Sequence, residues 1–375
     1  MPARGRTGSS RGGLPVTRVS EPSDLLTGTD GSGYGVEGVA LEDIATRFGT
    51  PCYVYSRQAI GSAWEEFSGA LAPLSPLLCY AVKANPNLAI LNLLARLGAG
   101  FDIVSGGELA RVLAAGGDPR RTVFSGVGKS VAEMEQALAA GVHCFNVESA
   151  AELERLNAVA RRLGTRAPVS LRVNPDVDAR THPYIATGLR ESKFGVAWDQ
   201  AEALYELANG LSGLVLLGID CHIGSQVTEL APFIEALDRL LELSDRLAAR
   251  GIGLTHLDLG GGIGIRYQDE SPLALDDYAE ALIARLRGRP ERLLLEPGRR
   301  IVGNAGLLLT RVEYTKSAGE REFALVDAGM NDLMRPALYQ AWHEVRAVRA
   351  NAPPRTFDIA GPVCESTDIL AHFCC

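Results

Sequence analysis

The sequence has no apolar run of the roughly 18 residues that a membrane-spanning helix requires. It has no cluster of lysine and arginine beyond its first residues, and its formal net charge of −8 argues against a nucleic-acid partner. The seven cysteines stand singly except for Cys374 and Cys375, and show neither metal-ligand spacing nor a disulfide pattern. These absences argue against a membrane span, a nucleic-acid complex and a metal site, and they favour a reducing cytoplasm.

The length of 375 residues predicts about two domains. Residues 1–38 are rich in Gly, Ser, Thr, Pro and Arg, so we expect a disordered or loosely packed segment. Residues 39–50 form a lead-in helix and strand that we associate with the second domain. Residues 51–304 are predicted to form the first domain, and residues 305–375 a β-rich second domain.

The first domain alternates strand-like runs with helical segments. After a first run at Pro51–Ser56, eight further runs begin at Leu77, Gly100, Thr122, Cys144, Val169, Val215, Leu254 and Arg292. Eight parallel strands alternating with helices is the count of a (β/α)₈ barrel of the TIM type. A doubly wound sheet is the alternative, and it would not require eight strands.

Beyond Gly303, short β-branched runs alternate with turn residues, and a single helix is predicted around Leu338–Arg349. The chain ends in AHFCC, which resembles neither a strand nor a cap. This ending indicates a truncation or a frameshift that leaves the β-rich domain incomplete.

Polar residues cluster where the barrel strands are predicted to end. Because these ends share one face of a barrel, the side chains should meet at one mouth. They are Lys83, Asp102, Ser105, Glu148, Arg172, Asn174, His222, Ser225, Gly260, Gly261, Gly262, Glu296 and Arg299. Lys83 follows an apolar strand, and such surroundings lower a lysine pKa and suit a Schiff-base nucleophile. Taken alone, this segment favours the simpler interpretation of a lysine snorkelling from a strand end.

Three consecutive glycines, Gly260 to Gly262, expose backbone N–H groups that can cradle a phosphate, although alone they could be a plain tight turn. With a lysine, a histidine and a carboxylate at the same mouth, the ligand that fits is pyridoxal phosphate (PLP). Lys83 would bond to the cofactor, Ser225 and the glycines would hold its phosphate, and His222 could stack on its ring. Glu296 could bond the pyridine nitrogen and keep it protonated.

The chain resembles the fold-type III PLP-dependent decarboxylases, and among them the diaminopimelate decarboxylases. The resemblance extends from about Leu41 to Asp368. Its motifs are YAVKANPN, FDIVSGGEL, RVNPDVDARTHPYIATGLRESKFG, HIGSQ, DLGGGIGI, EPGRRIVGNAG, DAGMNDLMRPALYQAWHEV and GPVCES. It implies the decarboxylation of meso-2,6-diaminopimelate to L-lysine and CO₂.

The resemblance also implies residue roles. Cys364 would donate a proton and Glu365 would bind the distal amino group, both across a homodimer with shared active sites. Glu365 points to diaminopimelate, because ornithine-type relatives have aspartate at that position. Arg299, Arg335 and Tyr339 would hold the substrate. The implied cofactor-binding residues are Lys83, Asp102, His222, Ser225, Gly260, Gly261, Gly262, Glu296, Gly298 and Arg299.

Two departures from the family and two alternatives accompany this assignment. Thr367 stands where the family usually has glycine, and the family's longer tail carries a tyrosine that contacts cofactor and substrate. We therefore expect this chain to bind PLP but to decarboxylate weakly. The alternatives are a decarboxylase of another diamino acid and a non-catalytic PLP carrier; the presence of Arg335 and the Cys-Glu-Ser segment weighs against the carrier.

Overall fold

The computed structural model describes residues 25–28, 33–178, 193–349 and 355–374. Residues 1–24 and 29–32, which belong to the segment predicted to be loosely packed, lie outside the described residues. So do residues 179–192, which form the middle of the RVNPDVDARTHPYIATGLRESKFG motif. No helix within the described ranges has the length and apolar character that crossing a bilayer requires.

A small antiparallel sheet lies at the start of the described chain and consists of β1 (Thr27–Gly28), β2 (Tyr34–Val36) and β3 (Val39–Ala40). Helix α1 (Leu41–Phe48) follows directly, as predicted, and ends at Gly49, whose φ of 81° suits a residue without a side chain. Leu25 and Val36 are buried in the main core, so this part of the N-terminal segment is packed.

Strand β4 (Cys52–Tyr55) pairs antiparallel with β14 (Gly306–Leu309), and these two strands form their own two-stranded sheet. The run at Pro51–Ser56 is therefore a strand, but it lies outside the ring of barrel strands. It joins the beginning of the barrel segment to the chain that leaves the barrel.

The barrel predicted from the sequence is confirmed. All neighbouring strands in the ring are parallel, and pairing of the fourth strand with the fifth closes it, which excludes an open doubly wound sheet. The strands are β5 (Leu77–Ala81), β6 (Gly100–Ile103), β7 (Thr122–Phe124), β8 (Cys144–Val147), β9 (Ala167–Asn174), β11 (Leu214–Asp220), β12 (His256–Asp258) and β13 (Arg292–Leu295), with β10 (Val196–Ala197) added beside β9.

Helices follow the barrel strands and bury one apolar face against them. They are α2 (Arg57–Ala70), α3 (Leu88–Arg96), α4 (Gly106–Ala114), α5 (Val131–Ala140), α6 (Ala150–Arg162), α7 (Ala201–Gly210), α8 (Ala231–Ala249), α9 (Leu275–Leu286) and the short α10 (Arg299–Val302). Serine caps define several starts: the hydroxyls of Ser56, Ser105, Ser130 and Ser149 accept a backbone N–H three residues ahead. These caps fix where each loop at the barrel mouth gives way to its helix.

The barrel interior contains an apolar cluster of Leu77, Cys79, Val123, Cys144 and Leu294, all fully or almost fully buried. Two of these residues precede polar residues of the mouth by two positions, since Cys144 precedes Asn146 and Leu294 precedes Glu296. Because side chains along a strand alternate between faces, residues two apart point to the same side. The apolar cluster therefore lies directly beneath the polar layer of the mouth.

The second domain contains a four-stranded sheet in the order β15 (Val312–Ala318), β16 (Arg321–Val326), β17 (Phe357–Ala360), β18 (Ile369–Cys374). The expectation that the ending resembles no strand is wrong. Residues 369–374 pair antiparallel with β17, and Asp358 on β17 accepts a hydrogen bond from the Phe373 backbone N–H at 3.1 Å.

The helix predicted around Leu338–Arg349 is also wrong. Helix α11 spans Arg335–Tyr339, and Gln340 ends it with a left-handed φ of 53°. Pro336 suits the first turn of this earlier helix, where its missing N–H has no intrahelical acceptor. Residues 341–347 form no helix or strand.

Candidate active site

The mouth of the barrel contains a cavity of about 430 Å³. Most of the residues proposed from the sequence to hold cofactor or substrate line it, namely Lys83, His222, Ser225, Gly260, Gly261, Gly262, Glu296, Gly298, Arg299 and Tyr339. Asp102 is buried beside Lys83. Arg335 does not line this cavity; it packs against Tyr267, and both line a neighbouring cavity that shares Ala84 and Arg299 with the first. Cys364 and Glu365 are exposed and do not line the cavity.

Lys83 lies in a single 3₁₀ turn, Val82–Ala84, immediately after β5. Its Nζ donates to Oδ2 of Asp102 at 2.8 Å, and 52% of its side-chain surface remains exposed to the cavity. The lowered pKa expected from apolar surroundings is not found. Burial alone would lower the pKa of Lys83, but the carboxylates of Asp102 and Glu296 outweigh it and raise the pKa above its ordinary value.

A layer of buried acids forms the floor of the cavity. Asp220 and Asp258 are register partners on β11 and β12, and Asp220 is also the register partner of Arg172 on β9. One oxygen from each of Asp220, Asp258 and Glu296 lies within 4.8 Å of the other two. The closed ring of parallel strands thus places three carboxyl groups side by side, with Arg172 facing them.

The acid layer cannot be fully ionised at neutral pH. Burial, together with repulsion from Asp102, raises the pKa of Asp258 to about 7. Burial, then the neighbouring acids, raises the pKa of Asp220 and of Glu296 well above its ordinary value. One carboxyl oxygen of Asp258 lies within 4.8 Å of one of Glu296, so ionising either acid opposes ionisation of the other. The layer therefore holds protons at neutral pH.

The same three oxygens have a spacing that could bind a divalent cation. Side chains of the barrel already contact two of these carboxyl groups. Arg172 Nε lies 4.0 Å from Oδ2 of Asp220, and the Asn146 side-chain amide donates to Oε1 of Glu296 at 3.3 Å. Asn146 is itself held by Ser125 Oγ at 3.1 Å. These contacts fix Glu296 at the floor without any metal ion.

The glycine turn after β12 is dictated by crowding. A Cβ on Gly261 would lie 2.1 Å from the carbonyl oxygen of Glu296, and one on Gly262 would lie 2.1 Å from that of Gly224. Gly260 and Gly262 also have φ values of 64° and 108°. Only glycine fits here, because the backbone of the turn packs directly against the backbone of its neighbours.

His222 and Asp258 each hold the turn. The backbone N–H of Gly261 donates to His222 Nδ1 at 3.2 Å, and that of Gly260 donates to Asp258 Oδ1 at 2.9 Å. Burial, and then the positive charges of Arg172 and Lys83, keep the pKa of His222 well below its ordinary value. The imidazole is therefore neutral, with its proton on Nε2, and presents a flat uncharged ring to the cavity.

Two arginines meet at the rim. Arg299 begins the short helix α10, and its Nη2 donates to Ser225 Oγ at 3.0 Å. Arg335 begins α11, and its guanidinium carbon lies 4.7 Å from the centre of the Tyr267 ring and 5.9 Å from that of Tyr339. Neither arginine has an ion pair within the described part of the chain. The rim therefore presents positive charge without an acidic partner.

Cys364 and Glu365 lie in the turn between β17 and β18. Asp368 organises this turn, because its carboxylate accepts from the backbone N–H of Val363 at 2.8 Å and of Met330 at 2.6 Å. The turn is thereby fixed beside the segment leading into α11. It displays both side chains outward rather than toward the Lys83 cavity of the same chain.

The sequence interpretation missed several residues that the structure places here. Asp220, Asp258 and Asn146 lie in the floor, and Tyr267 and His343 lie at the rim. The floor residues had a signal in the sequence, since an Asp or Asn inside an apolar strand must find a polar partner when buried. The rim residues had none, because they lie on irregular segments.

The arrangement fits PLP in this structure. A lysine that can bond to an aldehyde stands opposite a backbone turn that any Cβ would fill, and a buried carboxylate and a neutral histidine flank the space between them. Asp102 Oδ1 is buried without a hydrogen-bond partner, so this oxygen can accept a hydrogen bond from a ligand. Barrel, lysine, glycine turn and floor carboxylate together define the class of PLP-binding barrel enzymes.

Comparisons with known proteins agree with this class. Residues 57–303 match the family model described as pyridoxal-dependent decarboxylase, pyridoxal binding domain. The chain is 63% identical over 336 residues to the diaminopimelate decarboxylase of Pseudomonas aeruginosa, covering 89% of this chain and 81% of that protein.

Solved structures give the same result. The diaminopimelate decarboxylase of Helicobacter pylori, complexed with L-lysine, matches with a TM-score of 0.85 at 43% identity, over 89% of this chain and 84% of that one. A lysine decarboxylase from Selenomonas ruminantium matches with a TM-score of 0.78 at only 26% identity, over 89% of this chain and 84% of that one. The chain belongs to the diaminopimelate decarboxylase family of PLP-dependent decarboxylases, and its cofactor is PLP.

Proposed function

We propose that the chain is a carboxy-lyase that converts meso-2,6-diaminopimelate to L-lysine and CO₂, the last step of lysine biosynthesis. The observation that carries this proposal is the pair Arg299 and Arg335, which meet across Tyr267 without an acidic partner in the described ranges. Guanidinium groups bind carboxylates through paired hydrogen bonds. A substrate with carboxylates at both ends suits a rim of this kind, and the 63% identity to a diaminopimelate decarboxylase supports the same substrate.

The residues of the cavity have distinct proposed roles toward the cofactor. Lys83 would hold it covalently, while Ser225 and the glycine turn of Gly260–Gly262 would hold its phosphate. The neutral ring of His222 would pack against the cofactor ring, and Glu296 would bond the pyridine nitrogen. When bound, the cofactor supplies an electron sink for the pair of electrons that the departing carboxylate leaves behind. Asp102 would hold the Lys83 amine, and Gly298 and Arg299 complete the site.

Decarboxylation at the D-centre breaks one C–C bond and replaces it with a C–H bond. The carboxylate leaves as CO₂, its bonding electrons remain on the α-carbon, and a proton must then reach that carbon. Glu296 would favour this outcome in its ionised form, because a buried carboxylate beside the ring nitrogen would stabilise positive charge there. Tyr339, which lines the cavity beside Arg299, would help hold the substrate.

The proton donor is proposed to come from a second copy of the chain. Cys364 and Glu365 are exposed and do not line the cavity of their own chain, so they suit a shared site. Cys364 of the partner subunit would supply the proton, and Glu365 of the partner subunit would bind the distal amino group. Exposed apolar side chains on the neighbouring segments, Met334, Leu338, Trp342 and Val363, support a homodimer interface there.

The proposed cellular compartment is the cytoplasm, and the free thiols support it. Cys52, Cys79, Cys144, Cys221 and Cys364 are free thiols among the described residues, which fits a reducing cytoplasm. A small amino-acid substrate is consistent with the same location.

The experiment is a decarboxylation assay of the purified, PLP-loaded chain with meso-diaminopimelate, L-lysine and L-ornithine. We expect CO₂ and L-lysine from the first substrate and at least about a hundredfold lower kcat/KM for the other two. A preference for L-lysine or L-ornithine would establish the alternative decarboxylase. Borohydride reduction followed by peptide mapping should fix the cofactor to Lys83; cofactor retained without turnover of any substrate would favour the PLP carrier.

A further inference from the structure

Tyr267 lies between the two arginines of the rim and contacts both. Arg299 Nη1 donates a hydrogen bond to the Tyr267 hydroxyl, and the Arg299 guanidinium carbon lies 5.8 Å from the ring centre. The Arg335 guanidinium carbon is closer to the ring, at 4.7 Å. One aromatic ring therefore touches both positive charges that the proposed function assigns to substrate binding.

The backbone around Tyr267 is fixed on both sides. The carboxylate of Glu270 accepts from the backbone N–H of Tyr267 at 2.9 Å and from that of Gln268 at 2.8 Å. Two residues earlier, Ile265 is bonded through both its N–H and its C=O to the side chain of Gln226. Because Gln226 follows Ser225, this loop is tied to the proposed phosphate site. Tyr267 is thus a rigid support rather than part of a loose loop.

His343 closes the other side of the ring. Its imidazole meets Tyr267 edge to face, with ring centres 5.5 Å apart and planes at 88°. Burial, and then the charges of Arg335 and Arg299, lower the pKa of His343 to about 4, so it adds no third positive charge at neutral pH. The ring is held between a neutral histidine and two cations.

The positive charges of Arg299 and Arg335 repel each other, and the contacts of Tyr267 offset this repulsion. Burial is the main cause that lowers the pKa of Arg335, and the positive charge of Arg299 adds to it. The face of an aromatic ring carries negative potential and attracts cations. Nε of each arginine is also buried without a hydrogen-bond partner. Tyr267 therefore contacts Arg335 through its ring and Arg299 through its hydroxyl, and the Nε–H group of each arginine remains available to a ligand.

We infer that Tyr267 is a positioning residue that sets the separation of Arg299 and Arg335, and thereby selects substrates carrying a carboxylate at the end remote from the reacting centre. The inference rests on the proposed function and extends it to a residue outside the catalytic set. The ligand class is an amino acid with two carboxylates, as opposed to one that ends in an amine alone.

The test compares Tyr267→Leu, which removes the ring, with Tyr267→Phe, which keeps the ring and removes only the hydroxyl. Tyr314→Leu is the matched control, because Tyr314 is 71% exposed on β15. Calorimetry on the PLP-loaded protein measures binding of pimelate and of heptanoate. These ligands have the same number of carbons and differ only in the second carboxylate.

We expect the wild type to bind pimelate about tenfold or more tightly than heptanoate, and Tyr267→Leu to lose most of that preference. In the same variant, kcat/KM for meso-diaminopimelate should fall about tenfold, through KM rather than kcat. Tyr267→Phe should lose less of the preference than Tyr267→Leu, because it keeps the ring beside Arg335 but lacks the hydroxyl that accepts from Arg299. PLP affinity should change less than about twofold in both variants, because Arg299 keeps its bond to Ser225.

Three results would overturn the inference. One is a wild type without preference for pimelate, and another is a Tyr267→Leu variant that keeps the preference. The third is an equal loss of both ligands, which would make Tyr267 a cavity wall rather than a carboxylate determinant. A wild type that prefers pimelate yet does not turn over meso-diaminopimelate would instead refute the proposed function and leave the role of Tyr267 intact. If Tyr267→Leu does not fold, Tyr267→Phe decides: a full pimelate preference without the hydroxyl that accepts from Arg299 would overturn the inference.

Discussion

The two ends of the barrel interior are built from the same strands but have opposite chemistry. The lower layer is apolar and contains Leu77, Cys79, Val123, Cys144 and Leu294. The upper layer, two residues further along the strands, contains Asn146, Asp220, Asp258 and Glu296, with Arg172 facing the acids. Burial is nearly complete in both layers, so exposure does not distinguish them.

The difference shows how one fold separates stability from reactivity. The lower layer gains free energy by removing apolar surface from water. The upper layer loses free energy by burying charge, as the raised pKa of Asp258 shows, and that cost is tolerable only because the lower layer and the surrounding helices hold the strands in place. Substitutions in the lower layer should accordingly lower the free energy of unfolding, whereas substitutions in the upper layer should lower turnover.

The largest expected effect is at the mouth, in Lys83→Arg. This variant keeps a positive charge near Asp102 but cannot bond to the cofactor, so kcat should fall by on the order of a thousandfold or more, about 4 kcal/mol. The unfolding midpoint should change little. Steady-state turnover and thermal unfolding measure the two quantities, and Lys316→Arg on the exposed strand β15 is the control. Turnover within tenfold of wild type would remove Lys83 from the chemistry.

In the lower layer, Leu294→Ala should lower stability and leave activity nearly unchanged. Leu294 is fully buried, so its truncation should reduce the free energy of unfolding by about 2–5 kcal/mol. Denaturant unfolding measures this loss, and Leu113→Ala, at a position that is 41% exposed, should lose far less. Below its unfolding range the variant should keep kcat/KM within about twofold. A fall in kcat/KM as large as that in a rim variant would mean that the two layers are not separable.

At the rim, Arg335→Lys should have an intermediate effect. The charge remains but the bidentate fork is lost, so kcat/KM for meso-diaminopimelate should fall at least about tenfold, about 1.4 kcal/mol. The same result is expected for Arg299→Lys. Arg355→Lys, on the exposed approach to β17, is the control because Arg355 is exposed and forms its ion pair with Glu322. An unchanged kcat/KM would place both arginines outside the substrate site.

A pH-dependent effect should come from Asp258→Asn, measured as the pH dependence of stability in the cofactor-free protein. The folded-state pKa of Asp258, about 7, lies above its unfolded value, so the folded state keeps a proton that the unfolded state has lost between about pH 4 and pH 7. Stability from this group is therefore present below about pH 4 and is lost as the pH rises to about 7. Asp102, Asp220, Glu296 and Arg172 face the same carboxyl group and modulate its titration.

The Asn variant should lack this part of the decline, so the difference in unfolding midpoint between variant and wild type should grow by several degrees from pH 5 to pH 8. Asp43→Asn, at an exposed position on α1, should show a constant difference. Parallel curves for Asp258→Asn and wild type would show that Asp258 is already ionised at pH 5.

The sequence was most informative where a residue's role depends on its own strand. The eight strands, Lys83 at a strand end and the three-glycine turn were predicted because each has a local signature. The helix at Leu338–Arg349 was predicted wrongly, and three of the apolar residues in that range are Leu338, Trp342 and Val345. The structure leaves all three exposed at 53%, 44% and 39%, so they do not form one buried helical face. Tyr267 and His343 could not be found, because only the folded chain brings these irregular segments together.

The ion pair between Lys83 and Asp102 has a consequence for assembly of the holoenzyme. An amine attacks an aldehyde only in its unprotonated form, and the raised pKa of Lys83 makes that form scarce in the cofactor-free protein at neutral pH. Reconstitution should therefore be slow and should accelerate as the pH rises. In the cell, newly made chains would spend a period folded but inactive, and the rate at which they mature would depend on how often this single proton leaves.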